Sequence, residues 1–119
     1  MHELAFANSI VSVVQREVAR QNLPPVKKVV VRIGALSDVV PDALKFNYEI
    51  ITRDTPLEKT QLVIDEIAVK ARCTSCAREF GVEKFVFACP GCGSGQIKVI
   101  QGEELDIAYL EVEDSVETV

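Results

Sequence analysis

The chain has 119 residues, of which 48% are hydrophobic and 26% are charged, a composition typical of a folded domain and not of a disordered chain. No apolar run approaches the roughly 18 residues that span a bilayer, and the start of the chain lacks the basic and apolar regions of a secretory signal. We therefore expect a cytoplasmic protein without a membrane partner. The formal net charge of −5, with seven acids and no base from Glu103 onwards, disfavours a nucleic-acid partner, because phosphate binding depends on clustered Lys and Arg.

The predicted elements begin with a helix over residues 1–22, because apolar side chains recur there at steps of three and four. The apolar face carries Leu4, Ala7, Val11, Val14 and Val18. Pro24-Pro25 ends this helix, since proline lacks the amide hydrogen and crowds the residue before it. A second helix is predicted to begin at Pro41, whose fixed φ suits a first helical turn, with Asp42 at the positive end of the helix dipole. Asp54-Thr55-Pro56 ends the second helix.

Alternating apolar residues predict strands on either side of the second helix. Residues 26–33 alternate well. Residues 62–72 are predicted to form one strand, in which a bulge near Asp65-Glu66 would switch the apolar positions to the other face. Further strand is predicted over residues 97–100 and 105–112.

Together these elements predict an α/β (α+β) fold, in which two helices pack on one face of a small mixed sheet of three strands. Composition shifts between residues 72 and 96, which hold every cysteine. We therefore expect one α/β domain, formed by residues 1–71 and 97–119, with a compact module over 72–96 inserted between its second and third strands.

The four cysteines form two Cys-x-x-Cys pairs that are separated by twelve residues. Two residues between cysteines let a tight turn present both sulfurs to one metal ion, and four thiolates favour a closed tetrahedral Zn²⁺ site. Pro90 restrains the second turn, and its neighbouring glycines permit positive φ. The spacing predicts structural zinc in a zinc-ribbon module, and disulfides are not expected in a reducing compartment. The predicted ligands are Cys73, Cys76, Cys89 and Cys92.

Two other interpretations of the cysteine pairs are weaker. Redox pairs of the thioredoxin type would be expected at the start of a helix in a βαβ unit, whereas these pairs lie among hairpin signals. Four sulfurs also suit iron, as in a rubredoxin-like site. The bases Lys70, Arg72, Arg78 and Lys84 flank the pairs, and they would offset the negative charge of four thiolates around a divalent ion.

The only histidine is His2, in the tripeptide Met1-His2-Glu3. The bulk of His2 disfavours removal of Met1, so we expect the free amine to belong to Met1. This amine, the amides of His2 and Glu3 and the imidazole can place four nitrogens in one plane, which suits Ni²⁺ or Cu²⁺. The ring and the amine have reference pKa values of about 6.5 and 7.8, so binding should weaken below neutrality. A frayed, solvated terminal histidine is the other interpretation.

These features together resemble the HypA/HybF-type hydrogenase maturation factors, a family of nickel metallochaperones. The resemblance covers essentially the whole chain. It includes the opening Met1-His2-Glu3, the sequence GALSDVVPDALKF at 34–46, Cys-Pro-Gly-Cys-Gly at 89–93 and Gln-Gly-Glu-Glu-Leu at 101–105. The chain departs from some relatives in the loop before the second helix, where Asp38 and Asp42 stand only at the edges, so a carboxylate ligand there stays open.

The resemblance implies a function in the maturation of [NiFe]-hydrogenase. It implies Ni²⁺ as transferred cargo at His2, with the Met1 amine and the backbone near Glu3, and Zn²⁺ at the four cysteines. The α/β domain would then be the nickel-binding domain and residues 72–96 the zinc-binding module. The implied partners are a maturation GTPase and the precursor of the hydrogenase large subunit, and weak homodimerisation is compatible with the resemblance.

Three other functions compete with that of a nickel metallochaperone. A zinc ribbon associated with nucleic acid is disfavoured by the acidic charge and by only 6% aromatic residues, which leave few stacking platforms. An enzyme is not expected, because the only histidine is terminal and neither a nucleophile–base pair nor a glycine-rich phosphate loop is present. A zinc-stabilised interaction scaffold would differ from the preferred interpretation only in failing to bind nickel.

Overall fold

The structure is a computed structural model, which describes residues 2–113 and 115–118 but not the side chain of His2. Within these residues the helices are α1 (His2–Gln21) and α2 (Pro41–Thr52). The strands are β1 (Val26–Gly34), β2 (Gln61–Ile67), β3 (Lys70–Cys73), β4 (Glu79–Gly81), β5 (Ile97–Gln101), β6 (Leu105–Val112) and β7 (Ser115–Glu117). Neither helix combines the length and the apolar character needed to cross a membrane.

The chain divides into two compact units. Unit 1 comprises Met1–Arg32, Asp38–Asp65 and Asp106–Val119, and unit 2 comprises Ile33–Ser37 and Glu66–Leu105. Each unit has its own sheet. The predicted α+β fold with two helices is confirmed.

Unit 1 contains both helices, which pack against each other, and a four-stranded sheet in the order β2-β1-β6-β7. The buried apolar side chains of this unit come from α1, α2, the strands β1, β2 and β6 and the loops on either side of α2, as the amphipathic patterns require. They include Ala7, Ile10, Val14, Val29, Val31, Leu44, Leu110 and Val112. The fourth strand, β7, folds back antiparallel on β6 with Glu117 opposite Leu110. Its three residues are too few for an alternating pattern to predict.

Hydrogen bonds hold the segment after α2 to the rest of unit 1. The buried hydroxyl of Tyr48 donates to the carbonyl of Thr60 at 3.0 Å, and the Thr60 hydroxyl donates to the carbonyl of Val26 at 2.8 Å. Burial raises the pKa of Tyr48 to about 12, so the phenol stays protonated and donates at every physiological pH.

Unit 2 contains a three-stranded sheet in the order β4-β3-β5, and both pairings are antiparallel. The central strand β3 pairs Ala71 with Phe80 on β4 and with Val99 on β5. Ala71 is fully buried, and so is Cys73 at the end of the same strand. The first predicted metal ligand therefore lies at the end of a strand that is paired on both sides, and it is itself paired with Ile97 on β5.

The prediction of a single strand over residues 62–72 is wrong. The chain leaves β2 at Ile67 and begins β3 at Lys70, and these two strands belong to different sheets. The apolar positions change face near the end of β2, just before the chain passes on to the second sheet.

Candidate metal centre

The structure brings the four predicted sulfur ligands together in unit 2. Their Sγ atoms all lie within 4.8 Å of one another, and no cysteine is in a disulfide. The Cys73 and Cys92 sulfurs are 3.5 Å apart, and the Cys76 and Cys89 sulfurs are 3.6 Å apart. A Zn–S length of about 2.3 Å in a regular tetrahedron corresponds to sulfurs about 3.8 Å apart. The spacing of these sulfurs therefore fits one zinc-sized ion.

Each Cys pair lies in a six-residue turn with the same backbone hydrogen bonds. We call residues 73–78 the first cysteine turn and residues 89–94 the second. In the first, the amide of Cys73 donates to the carbonyl of Arg78 at 2.9 Å and the amide of Ala77 to the carbonyl of Cys73 at 2.8 Å. The corresponding bonds of the second turn, Cys89 to Ser94 and Gly93 to Cys89, have the same two lengths. The fifth residue of each turn has positive φ, 65° at Ala77 and 76° at Gly93.

The first cysteine of each turn is buried and its sulfur accepts backbone hydrogen bonds. The amide of Cys76 donates to the Cys73 sulfur, and this is the main reason that the pKa of Cys73 is lowered to about 6. Burial acts to raise the pKa of Cys89, but hydrogen bonds from the amides of Cys92 and Gly91 lower it overall. These two sulfurs are therefore prepared to be thiolates, the form that binds a metal.

The second cysteine of each turn is exposed and behaves in the opposite way. An amide hydrogen bond, from Arg78 to Cys76 and from Ser94 to Cys92, acts to lower each pKa. Contacts with the neighbouring sulfurs, followed by partial loss of solvation, outweigh it, so the pKa of Cys76 is raised and that of Cys92 rises to about 11. Four thiolates this close repel one another, and a divalent cation would remove that penalty.

The flanking bases, which were predicted to offset the negative charge of the thiolates, differ in the contacts that they make. Arg72 is already paired with Glu79, whose carboxylate lies 2.7 Å from the guanidinium and has a lowered pKa because of that hydrogen bond. The side chain of Arg78, by contrast, extends to the second cysteine turn, where it lies against Gly91.

Of the predicted nickel tripeptide, the structure describes the backbone of His2 and the whole of Glu3, at the start of α1. Met1 and the imidazole of His2 are outside the part of the chain that the structure describes. The adjacent Glu3 is described, and its carboxylate accepts a hydrogen bond from the amide of Val40 at 3.2 Å. Val40 is the N-cap of α2 and its own side chain makes no capping bond, so Glu3 supplies the cap.

The predicted nickel site uses only the backbone of Glu3, and this contact of its side chain was not predicted. The cap connects residues that are 37 positions apart. Val40 cannot cap its own helix, which is the one local signal that another group is required. The start of α1, where the predicted nickel tripeptide lies, is thereby tied to the start of α2.

Comparisons with known proteins match nearly the whole chain. A family model described as "Hydrogenase/urease nickel incorporation, metallochaperone, hypA" matches residues 1–112. The hydrogenase maturation factor HypA of Geobacter metallireducens is 42% identical over 113 residues, which cover 95% of this chain and 100% of that protein.

Two solved structures have a similar fold. A solution structure of a HypA protein superposes with a TM-score of 0.67 at 21% identity, over 100% of this chain and 97% of the other. The solution structure of the Ni metallochaperone HypA from Helicobacter pylori gives 0.61 at 19% identity, over 98% of this chain and 97% of the other. At these identities the structures support the fold alone.

Proposed function

Because the chain belongs to the HypA family of nickel-incorporation metallochaperones, we propose that it carries Ni²⁺ as cargo and delivers it during maturation of a [NiFe]-hydrogenase. The family resemblance predicted from the motifs is confirmed, and the chain is a maturation factor and not an enzyme. The observation that carries the proposal is the family match from residue 1, which includes the Met1-His2-Glu3 opening as well as the cysteines.

The proposed nickel site is His2 with the Met1 amine and the backbone near Glu3. Nitrogen donors in one plane suit Ni²⁺, and a site at the end of a chain allows ligand exchange with an acceptor. The hydrogen bond from Val40 to the Glu3 carboxylate supports this assignment, because it restrains the residue that follows the imidazole.

The proposed resident metal is Zn²⁺, held by Cys73, Cys76, Cys89 and Cys92. Four sulfurs that all lie within 4.8 Å of one another, with backbone amides directed at them, are the donor set that zinc prefers in closed sites. Such a site supplies no chemistry, and its contribution is to stabilise the module. Residues 72–96 would accordingly be the zinc-binding module, and residues 1–71 with 97–119 the nickel-binding domain.

The proposed partners follow from the delivery of nickel. They are a maturation GTPase and the precursor of the hydrogenase large subunit, with weak homodimerisation as a further element of the proposal. A cytoplasmic location is proposed as well, because a site of four thiolates needs its cysteines kept reduced. The nucleic-acid-associated zinc ribbon is not proposed, since that function would not account for a match that begins at the nickel tripeptide.

Isothermal titration of zinc-loaded protein with Ni²⁺ tests the proposal. The protein needs a native N-terminus and any tag at the C-terminus, because an extension would remove the amine donor. We expect one nickel per chain, and we expect His2→Ala to weaken binding at least about a hundredfold, because loss of a group that only supports a ligand already costs up to about that much. A chain extended by one N-terminal glycine is the matched control, since it keeps His2 but moves the amine.

The outcomes separate the parts of the proposal. Equal nickel affinity of wild type and His2→Ala would contradict the tripeptide site. Preference for Cu²⁺ over Ni²⁺ under cellular competition, or delivery only to a urease apoenzyme, would contradict the proposed cargo and client. Zinc content measured on the same samples should stay at one per chain in both variants.

A further inference from the structure

An arginine side chain reaches from the first cysteine turn to the second. The guanidinium of Arg78, from the first turn, lies across Gly91 of the second. A β-carbon built on Gly91 would lie 3.2 Å from Arg78 Nη1 and 3.3 Å from its Cζ and Nε. Three guanidinium atoms are thus almost equidistant from this one point, so the planar group faces the glycine. A side chain at this position would crowd the guanidinium.

The backbone of Arg78 takes part in the first turn as well. Its carbonyl accepts the amide of Cys73 at 2.9 Å, and its own amide donates to the sulfur of Cys76. On the other side, the Gly91 amide beneath the guanidinium donates to the sulfur of Cys89 at 3.4 Å. Arg78 therefore bonds to Cys73 and Cys76 in the first turn and lies against the residue that bonds to the Cys89 sulfur in the second.

The positive charge of Arg78 matters for metal binding. Four thiolates around a divalent ion carry a net charge of −2, and Cys76 and Cys92 are exposed. Among the bases near the cysteine pairs, Arg72 is already engaged by the carboxylate of Glu79. The Arg78 guanidinium lies over the residue between Cys89 and Cys92, and a permanent positive charge there favours the metal-bound state.

From this geometry we infer that Arg78 is a positioning residue of the cysteine site, which supplies a counter-charge and holds the two turns together, so that it slows loss of the metal. The inference rests on the proposed zinc site. Glycine at position 91, between Pro90 and Cys92, leaves room for this approach, because a β-carbon there would require the guanidinium to move by a few tenths of an ångström.

The test measures the rate at which zinc-loaded full-length protein gives up Zn²⁺ to an excess of a chromogenic chelator. We expect Arg78→Gln to release zinc about tenfold faster than wild type, which is the lower range for loss of a group that supports metal ligands. Arg78→Lys, which keeps the charge but loses the planar group, should fall between them. Arg72→Gln is the matched control, an exposed arginine of the same module, and should stay within twofold of wild type.

Two further measurements separate the counter-charge from general destabilisation. The difference between wild type and Arg78→Gln should shrink at high salt, because salt screens exposed charges. Gly91→Ala should also speed release, and its effect should not add to that of Arg78→Gln, since both remove the same contact. Co²⁺-substituted Arg78→Lys and Gly91→Ala should keep the thiolate absorption bands of a tetrahedral site.

The results that overturn the inference are distinct from those that overturn the zinc site. Equal release rates for Arg78→Gln and Arg72→Gln, or fully additive effects of Arg78→Gln and Gly91→Ala, would overturn the role of Arg78. Should Arg78→Gln fail to fold, wild-type rates for both Arg78→Lys and Gly91→Ala would do the same. A wild-type protein that holds no zinc would instead overturn the proposed zinc site.

Discussion

The two cysteine turns share their hydrogen bonds and their burial pattern but little sequence besides the cysteines. Thr74-Ser75 lies between the cysteines of the first turn and Pro90-Gly91 between those of the second. In both turns the first cysteine is buried with a lowered pKa, and the second is exposed with a raised pKa. The turn is therefore determined by the spacing of the cysteines and by the hydrogen bonds of the backbone amides. The other side chains adjust its stability.

The largest effect should come from single variants that remove one sulfur, either from the first turn or from the second. Cys73→Ser and Cys92→Ser should both abolish tight zinc binding, because a structural zinc site depends on all four ligands and supplies much of the folding energy of its module. Cys73→Ser should destabilise the module more, since Cys73 is fully buried at the end of β3. Zinc content and hydrogen exchange of unit 2 measure this. Wild-type zinc affinity in Cys92→Ser would break the equivalence of the turns.

The pH dependence of zinc binding should show that the two exposed cysteines are protonated before zinc binds. Without metal, the raised pKa of Cys76 and the pKa of about 11 at Cys92 keep both thiols protonated near neutrality, whereas Cys73, with a pKa of about 6, is already ionised. Zinc must displace at least two protons, so affinity falls as pH falls. We expect at least about a hundredfold loss from pH 7.5 to 6.5, tenfold for each proton.

Proton release is measured by titrating zinc in buffers of different ionisation enthalpy. Release of fewer than two protons per zinc at pH 7.5 would contradict the assignment of raised pKa values to the second cysteines. In the same titration, Cys92→Ser should release at least one proton fewer for each zinc that it still binds. That difference would identify Cys92 as a thiol that is protonated before zinc binds.

A smaller effect should come from exchanging the residues with positive φ. Gly93→Ala should weaken zinc binding by about 1–2 kcal/mol, the cost of a left-handed conformation for a residue with a β-carbon. No atom lies within 4 Å of that β-carbon, so the cost is one of backbone conformation alone. Ala77→Gly should act in the opposite direction, with a gain of only about 0.5 kcal/mol, because glycine also loses more entropy on folding. Chelator competition measures both, and effects of the same sign would refute the equivalence of Ala77 and Gly93.

The smallest effect should come from the serines that join the turns. The hydroxyls of Ser75 and Ser94 lie 3.3 Å apart, and that of Ser94 also accepts the amide of Gln96 at 3.0 Å. Ser94→Ala removes two bonds and should cost about 1 kcal/mol of stability, while Ser75→Ala should cost about half of that. Denaturant unfolding of the zinc-loaded protein measures the difference. A larger cost for Ser75→Ala would contradict this ranking.

Much of this arrangement was predictable from short-range patterns. Apolar spacing predicted α1, and Pro41 marked the start of α2, because helix periodicity and proline geometry are local properties. The Cys-x-x-Cys spacing predicted which sulfurs would converge. The path of the chain between β2 and β3 was mispredicted, since alternation looks the same whether a strand bends within one sheet or passes into another.

By itself the sequence determined the family, the two helices and the four cysteines that converge, because each depends on residues that are neighbours along the chain. Only the tertiary structure decided that Glu3 caps α2, that Arg78 lies on Gly91 and that β7 extends the first sheet. These contacts join segments whose approach depends on how the whole chain packs. No local propensity encodes such an approach, since its free energy arises only when both partners are brought together.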